Sequence, residues 1–542
     1  MSRSITRRTA LKRIGAAGLL VGGAAVLPLW SAVDIPPDPD HIILRPRGWL
    51  VLPTGDDDHD NLQWALRHTD PGGKVELVAG VYKIGSPIVV ADFDGTLAGA
   101  GAAHTTMTCT DPFNYELWED NYAQWEADGS VGEPPPQPLR FPRAPVDDSS
   151  TRTPPVLIQF YKTPLQPGED PADRANRIEI RDLRCRSVML GDLWAFGDEV
   201  LCFNISNSTD WLNDSAPETT RQDVVVRGVE VDGYRTEAFA PFDVACACIT
   251  VLGGAVTTCN YNLSGAAEDG DGLGFDNGGL LRVTPAEGDV TFRDCTFRNC
   301  RVGPGVVGYR DAKIRFQNIT TDHCRGNCIQ LIDIGSSRIR VQDCHLVCDS
   351  FLLPPIYAAG QEGVPSSLGC VAVIQGMGAV LGYPTNVQWL SLAYDAGAPV
   401  PGTWRPLGPS AAPQPSELLV IGNSCNSSPT PNTYCIHLVD LANVAFGAPA
   451  LGATVTGNSC EGSQTCIGLE HIADGLVVDN QCASEAFGVE LHNTPLAAAI
   501  VKDNDFGFPP GVDGCEIRIL DLGEKIDLSR VAPEAGVCMV QS

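Results

Sequence analysis

Glu417-Leu418-Leu419-Val420-Ile421-Gly422-Asn423-Ser424-Cys425 opens a phrase written four times before Phe506. Leu418, Val420, Asn423 and Cys425 give way to Ala453, Val455, Asn458 and Cys460, then Gly475, Val477, Asn480 and Cys482, then Ala499, Val501, Asn504 and Phe506. Each keeps the spacing 0, 2, 5, 7. The frame continues upstream through Ile339-Val341-Cys344-Leu346, Ile314-Phe316-Ile319-Thr321, Val290-Phe292-Cys295-Phe297, Val224-Val226-Val229-Val231 and Ile178-Ile180-Leu183-Cys185. The first pair alternates as a strand does. The shift of three before the second pair predicts a tight corner joining two strands. Corners at 295, 319 and 344 are 24 and 25 residues apart, and those at 458, 480 and 504 are 22 and 24 apart.

A fixed period of this size marks a solenoid. Helical repeats do not fit a phrase of period two that is rich in Val and Ile. A third strand is predicted after each corner, at Ile329-Leu331, Ile436-Leu438, Ile467-Leu469, Val489-Leu491 and Ile517-Ile519. Three short strands per coil, with an inward Asn or Cys at one corner, predict an all-β, right-handed parallel β-helix. In these repeats the sequence resembles the pectin-lyase-like β-helix superfamily over roughly residues 50–520. The resemblance implies the fold; one fold carries many chemistries.

The 542 residues include 56 Gly and 41 Pro, and 19% are charged, which suits one elongated domain with many turns. There are 37 Lys plus Arg against 66 Asp plus Glu, a net charge of −29. Five of the basic residues (Arg3, Arg7, Arg8, Lys12, Arg13) lie at the N-terminus, and no run of Lys and Arg follows them. Nucleic acid is therefore not an expected partner.

Thr6-Arg7-Arg8-Thr9-Ala10-Leu11-Lys12, followed by the apolar run Ile14–Trp30, resembles the twin-arginine export motif. Residues 1–32 are thus expected to be a targeting segment, with the protein periplasmic, cell-surface or extracellular. No clean cleavage site stands near Ser31, so a retained anchor is the expected route to any membrane. Residues 33–48 form a Pro-rich linker and 526–542 a C-terminal tail. Between them, 49–525 is the β-helix, capped by a helix from Asn61 to His68 whose start is set by the acids at 56–60. Three stretches break the repeat, at about 111–155, 234–279 and 349–416. Their aromatics, Trp118, Trp125, Trp389 and Trp404 among them, are placed either to stack on sugars or to staple the loops down. The chain has 20 cysteines. Cys425, Cys460 and Cys482 form one inward column, for which stacked thiols with a few disulfides are expected.

The superfamily resemblance implies that third strands line a substrate groove. Outward positions there read Val307, Gln330, His437, Gly468, Glu490 and Arg518 in one column and Tyr309, Ile332, Val439, Glu470, His492 and Leu520 in the next. Glu470 and His492 are expected as lateral neighbours about 4.8 Å apart, with Glu490 diagonal to Glu470. A carboxylate beside an imidazole can poise a general base, and paired carboxylates suit glycoside cleavage. The candidate site is therefore Glu470, Glu490, His492 and His437, against a plain solvated face. Gly468 reads as an open spot between His437 and Glu490 where a sugar could reach the backbone. Asp269, Asp271 and Asp276 are calcium-like by composition, although the spacing departs from the EF-hand at its third ligand. An ordinary Gly-rich turn is the alternative. The polygalacturonase and alginate-epimerase motifs do not occur. The expected function is that of an exported, monomeric, carbohydrate-directed protein, a polysaccharide lyase or glycoside hydrolase. A non-catalytic surface adhesin that binds glycans is the rival.

Overall fold

The computed structural model describes residues 35–108, 156–163, 168–186, 201–206, 222–232, 239–240, 249–257, 286–287, 289–298, 303–307, 309–310, 312–322, 324, 327–332, 334–335, 337–348, 368–375, 415–428, 433–440, 443, 449–494, 499–521 and 537–541. Strands of successive coils pair in parallel and in register. Val420, Val455, Val477 and Val501 stand side by side, as do Cys425, Cys460, Cys482 and Phe506. The third strands form their own eight-stranded parallel sheet, which includes Ile329–Ile332, Thr433–Asp440, Thr465–Glu470, Phe487–His492 and Cys515–Asp521. The chain is a right-handed parallel β-helix.

The corners explain why the phrase shifts by three. The residue before each inward corner residue takes a left-handed backbone: Gly422 (φ 68°), Gly457 (φ 65°), Asp479 (φ 56°) and Asp503 (φ 56°). Asp182, Gly228, Gly253, Asp294, Asn318 and Asp343 do the same upstream, and Gly, Asn and Asp tolerate that conformation best. The next residue then points inward and the chain turns. Asn423, Asn458, Asn480 and Asn504 stack there as a ladder. Each side-chain nitrogen donates to the next Asn oxygen at 2.9 Å. The Asn458 oxygen also accepts from the Asn423 backbone N–H at 3.0 Å, and its nitrogen donates to Val420 O at 3.0 Å. A buried amide is thereby satisfied along the axis.

Three expected gaps contain coil strands. Ile249–Thr257, inside the expected 234–279 insertion, pairs in register with Gln222–Asp232 and Val290–Arg298. Leu368–Gln375, inside 349–416, is a third strand between Ile329–Ile332 and Thr433–Asp440. Val537–Gln541, expected as tail, closes the third-strand sheet beside Cys515–Asp521. The flanking Ala- and Gly-rich sequence hides the first two, because a lone strand without its corner partners carries little pattern.

The helix α1, His59–Arg67, buries Leu62, Ala65 and Leu66 in the same core as Val51 and Val75. Its Trp64 meets Trp49 edge-on at 4.8 Å. The acids flank its start: Asp57 accepts from the His59 N–H at 2.9 Å and Asp60 lies in the first turn, but Asp58 at the N-cap makes no side-chain capping bond. Asp58, however, ties the loop to the first coil, accepting from Thr54 N–H at 2.8 Å and Lys83 N–H at 3.1 Å.

Cys515 is disulfide-bonded, whereas the columns hold thiols: Cys344, Cys425, Cys460 and Cys482 are unbridged, and so are Cys328, Cys370, Cys435 and Cys466 leading into third strands. In-register parallel strands hold side chains parallel at the strand spacing, farther apart at Cβ than a disulfide allows. The thiols instead reach carbonyls across the coil, Cys435 to Cys425 O at 3.6 Å and Cys466 to Cys460 O at 3.4 Å. Burial pushes the Cys344 thiol up to about 12.

Candidate functional site

Alternation along Thr465–Glu470 sends Ile467 and Leu469 into the core and leaves Gly468 and Glu470 on the outer face. The Phe487–His492 strand does the same with Val489 and Leu491 inside. Register then makes Glu470 the lateral partner of His492, Gly468 the partner of both His437 and Glu490, and Glu490 the partner of Arg518. At the upstream end the register differs from expectation. Gly305 stands beside Gln330, so Val307 belongs to the column of Ile332, and Ala372 separates Gln330 from His437.

Glu470 is the centre. One carboxylate oxygen lies 3.7 Å from His437 Nε2, and the other lies 3.6 Å from His471 Nε2 and 3.6 Å from His492 Nδ1. The Glu470 side chain is 15% exposed, His492 35% and His437 5%. Burial raises the Glu470 carboxyl, but His437 and the neighbouring imidazoles outweigh it and hold Glu470 below the ordinary carboxylate value. His471 is lowered, by burial first, against the pull of Glu470. His471 reaches the cluster because it ends its strand in a left-handed conformation (φ 57°), fixed by its N–H to His492 O at 3.0 Å. Strand alternation alone does not show that backward turn.

Glu490 is arranged differently. Tyr434 donates to one of its oxygens at 3.1 Å and Arg518 Nη1 to the other at 3.0 Å, with Glu490 only 5% exposed. Arg518 also lies over the Phe487 ring, 4.2 Å from its centroid. The Tyr434 ring stacks on His437 at 3.9 Å. It also fills the spot expected to be open: a Cβ on Gly468 would come within 2.6 Å of Tyr434 Cε1. The glycine makes room for a tyrosine, not for a sugar. Burial, and then the charge of Glu490, push the Tyr434 hydroxyl well above its usual value. Tyr434 was missed because it reaches over the next coil's glycine, a contact its own strand does not reveal.

The cluster thus has an ionised carboxylate that faces imidazoles and is partly open to solvent, beside a second, buried carboxylate whose two oxygens each hold one donor, from Tyr434 and Arg518. Asp269, Asp271 and Asp276 lie outside the described residues. So do most of the residues at 349–416 that were expected to break the repeat. Among the described residues no three His, Cys, Asp or Glu side chains are placed to hold a metal ion. No described helix is long and apolar enough to cross a membrane.

The chain's likenesses are to solved β-helix structures. PfbA, a surface adhesin of Streptococcus pneumoniae, is 11% identical with a TM-score of 0.47, covering 86% of this chain and 90% of its own. DFA-IIIase from Arthrobacter chlorophenolicus A6, without its lid, is 12% identical with a TM-score of 0.38, covering 89% and 92%. The A-module of the Azotobacter vinelandii mannuronan C-5 epimerase AlgE4 is 14% identical with a TM-score of 0.34, covering 87% and 96%. No protein-family model matches the chain, and no curated protein sequence does.

Proposed function

We propose that this is an exported, carbohydrate-directed β-helix protein that cleaves a polysaccharide, as a lyase or a glycoside hydrolase, at the Glu470 cluster. The observation that supports it is a carboxylate with three imidazole nitrogens within 3.6–3.7 Å on the outer face of the third-strand sheet. Glu470, ionised at neutral pH, is the base or nucleophile. His492, the more exposed imidazole, exchanges the proton. His437, His471, Tyr434 and Glu490 position the pair. Export is read from Arg7-Arg8 and the apolar run after it. A panel of polysaccharides, scored separately for reducing ends and for unsaturated products, tests the reading and divides lyase from hydrolase.

The binding-only reading has its own support. Tyr434 closes the approach over Gly468, and both Glu490 oxygens are already bonded. Retention of a polysaccharide without either product class establishes that reading in place of catalysis.

A further inference from the structure

The first strands carry a feature that the linear sequence conceals. Lys313 and Arg315 point outward from one coil, and Arg338 and Arg340 from the next, separated by 25 residues of chain. Register sets Lys313 directly beside Arg338 and Arg315 directly beside Arg340. Four cations therefore meet on a chain whose net charge is −29. They line one end of a groove of about 1070 Å³ on the outer face of the first strands. This face is separate from the third-strand sheet that carries Glu470.

The arrangement is not explained by pairing within the fold. Arg338 reaches Glu417 at 3.6 Å and Lys313 reaches Asp289 at 3.9 Å, both exposed pairs of little worth. Arg315 and Arg340 have no carboxylate within ion-pair distance among the described residues. Like charges directly opposite one another destabilise a sheet, so this pair costs the fold something in the absence of an anion. An anion held between two guanidinium forks removes the repulsion and gains charge-assisted hydrogen bonds.

The rest of the groove selects among anions. It runs on over Leu419, Thr454, Leu476 and Ile500 for four more coils, along the solenoid axis. Six coils at the strand spacing give a track of roughly 24 Å between its end strands. Its far half offers aliphatic and hydroxyl surface with one carboxylate, Asp474, while Glu417 lies beside the cations, and it has no aromatic platform for bases. We infer that this groove binds a linear anionic glycan, its carboxylate or sulfate groups on Lys313, Arg315, Arg338 and Arg340 and its sugar rings along the aliphatic half. The choice of a glycan rests on the carbohydrate-directed reading above; the choice of an anion rests on the groove.

The test is calorimetric titration of the full chain with polygalacturonate, dextran sulfate, neutral dextran and duplex DNA, at low and physiological salt. Polygalacturonate or dextran sulfate should bind, more weakly as salt rises, and whichever binds tighter distinguishes carboxylate from sulfate. Arg315→Gln/Arg340→Gln should weaken that binding about tenfold or more, and Lys313→Gln/Arg338→Gln should weaken it too. All four side chains are exposed and the facing charges oppose the fold, so both variants should melt no lower than wild type. Equal affinity in both double variants, equal binding of dextran, absence of binding by either anionic glycan, or tighter binding of DNA through these arginines overturns the inference. Failure of the polysaccharide panel alone, with anionic binding intact and arginine-dependent, removes the catalytic reading and leaves this one standing.

Discussion

At the scale of single residues, the site is governed by which carboxylate keeps its lone pairs. Glu490 is held by Tyr434 and Arg518, so its variants should act on stability first. Tyr434→Phe leaves a buried carboxylate short of a donor and should lower stability by about 1–3 kcal/mol, read from urea denaturation. Glu470 has the opposite character. Its folded-state pKa lies below the ordinary Glu value of 4.5, so its contribution to stability is present above pH 4.5 and is lost as pH falls through the folded value. The Tm difference between wild type and Glu470→Gln should therefore shrink as the pH drops below 4.5. His471, lowered below 6.5, favours the folded state fully above pH 6.5 and less as the pH falls through that region. His471→Asn should flatten the Tm profile there, and an unchanged slope would show that folding does not shift the His471 pKa. The pairing of Glu470 with His492 was legible from Ile467-Gly468-Leu469-Glu470 and Val489-Glu490-Leu491-His492, because a one-residue slip would bury these groups unpaired. The occupant of the space over Gly468 was not, since it depends on the Tyr434 rotamer.

At the scale of the coil, the corner carries the fold. Asn458 both donates to and accepts from its neighbours in the ladder, so Asn458→Ala strands amide groups on two adjacent coils. It should cost about 1–3 kcal/mol by urea denaturation. Gly457→Val forces a β-branched residue into the left-handed region and should destabilise comparably, whereas Asp479→Gly should be tolerated. Equal stability of Gly457→Val and Asp479→Gly would contradict this account of the turn. The strands and the Asn ladder were readable because spacing 0, 2, 5, 7 recurs with apolar residues at fixed places. The left-handed residue was equally present, as Gly, Asp or Asn one place earlier, and marks even the Gly253 corner inside a stretch expected to be an insertion. The thiol columns were readable as columns. Their oxidation state was decided by Cβ geometry, which sequence spacing alone does not supply.

At the scale of the molecule, α1 and the third-strand sheet set what the solenoid can do. α1 covers apolar side chains of the first coils, and Leu66→Asp should uncover them and produce soluble aggregates by size-exclusion chromatography. Parallel stacking also assembled Lys313, Arg315, Arg338 and Arg340 into a basic groove that the linear sequence does not display. The same stacking gathers His437, Glu470, His471 and His492 from three coils onto one face. The account stands most directly on Glu470 as the group that does chemistry there. The measurement is the activity of Glu470→Gln beside wild type on the polysaccharide that the panel identifies, with the melting temperature of each at neutral pH. The account predicts loss of most of the activity, at least about a hundredfold, in a variant that stays folded, its Tm lowered only by the loss of the Glu470 charge. Wild-type turnover by a folded Glu470→Gln protein would contradict it.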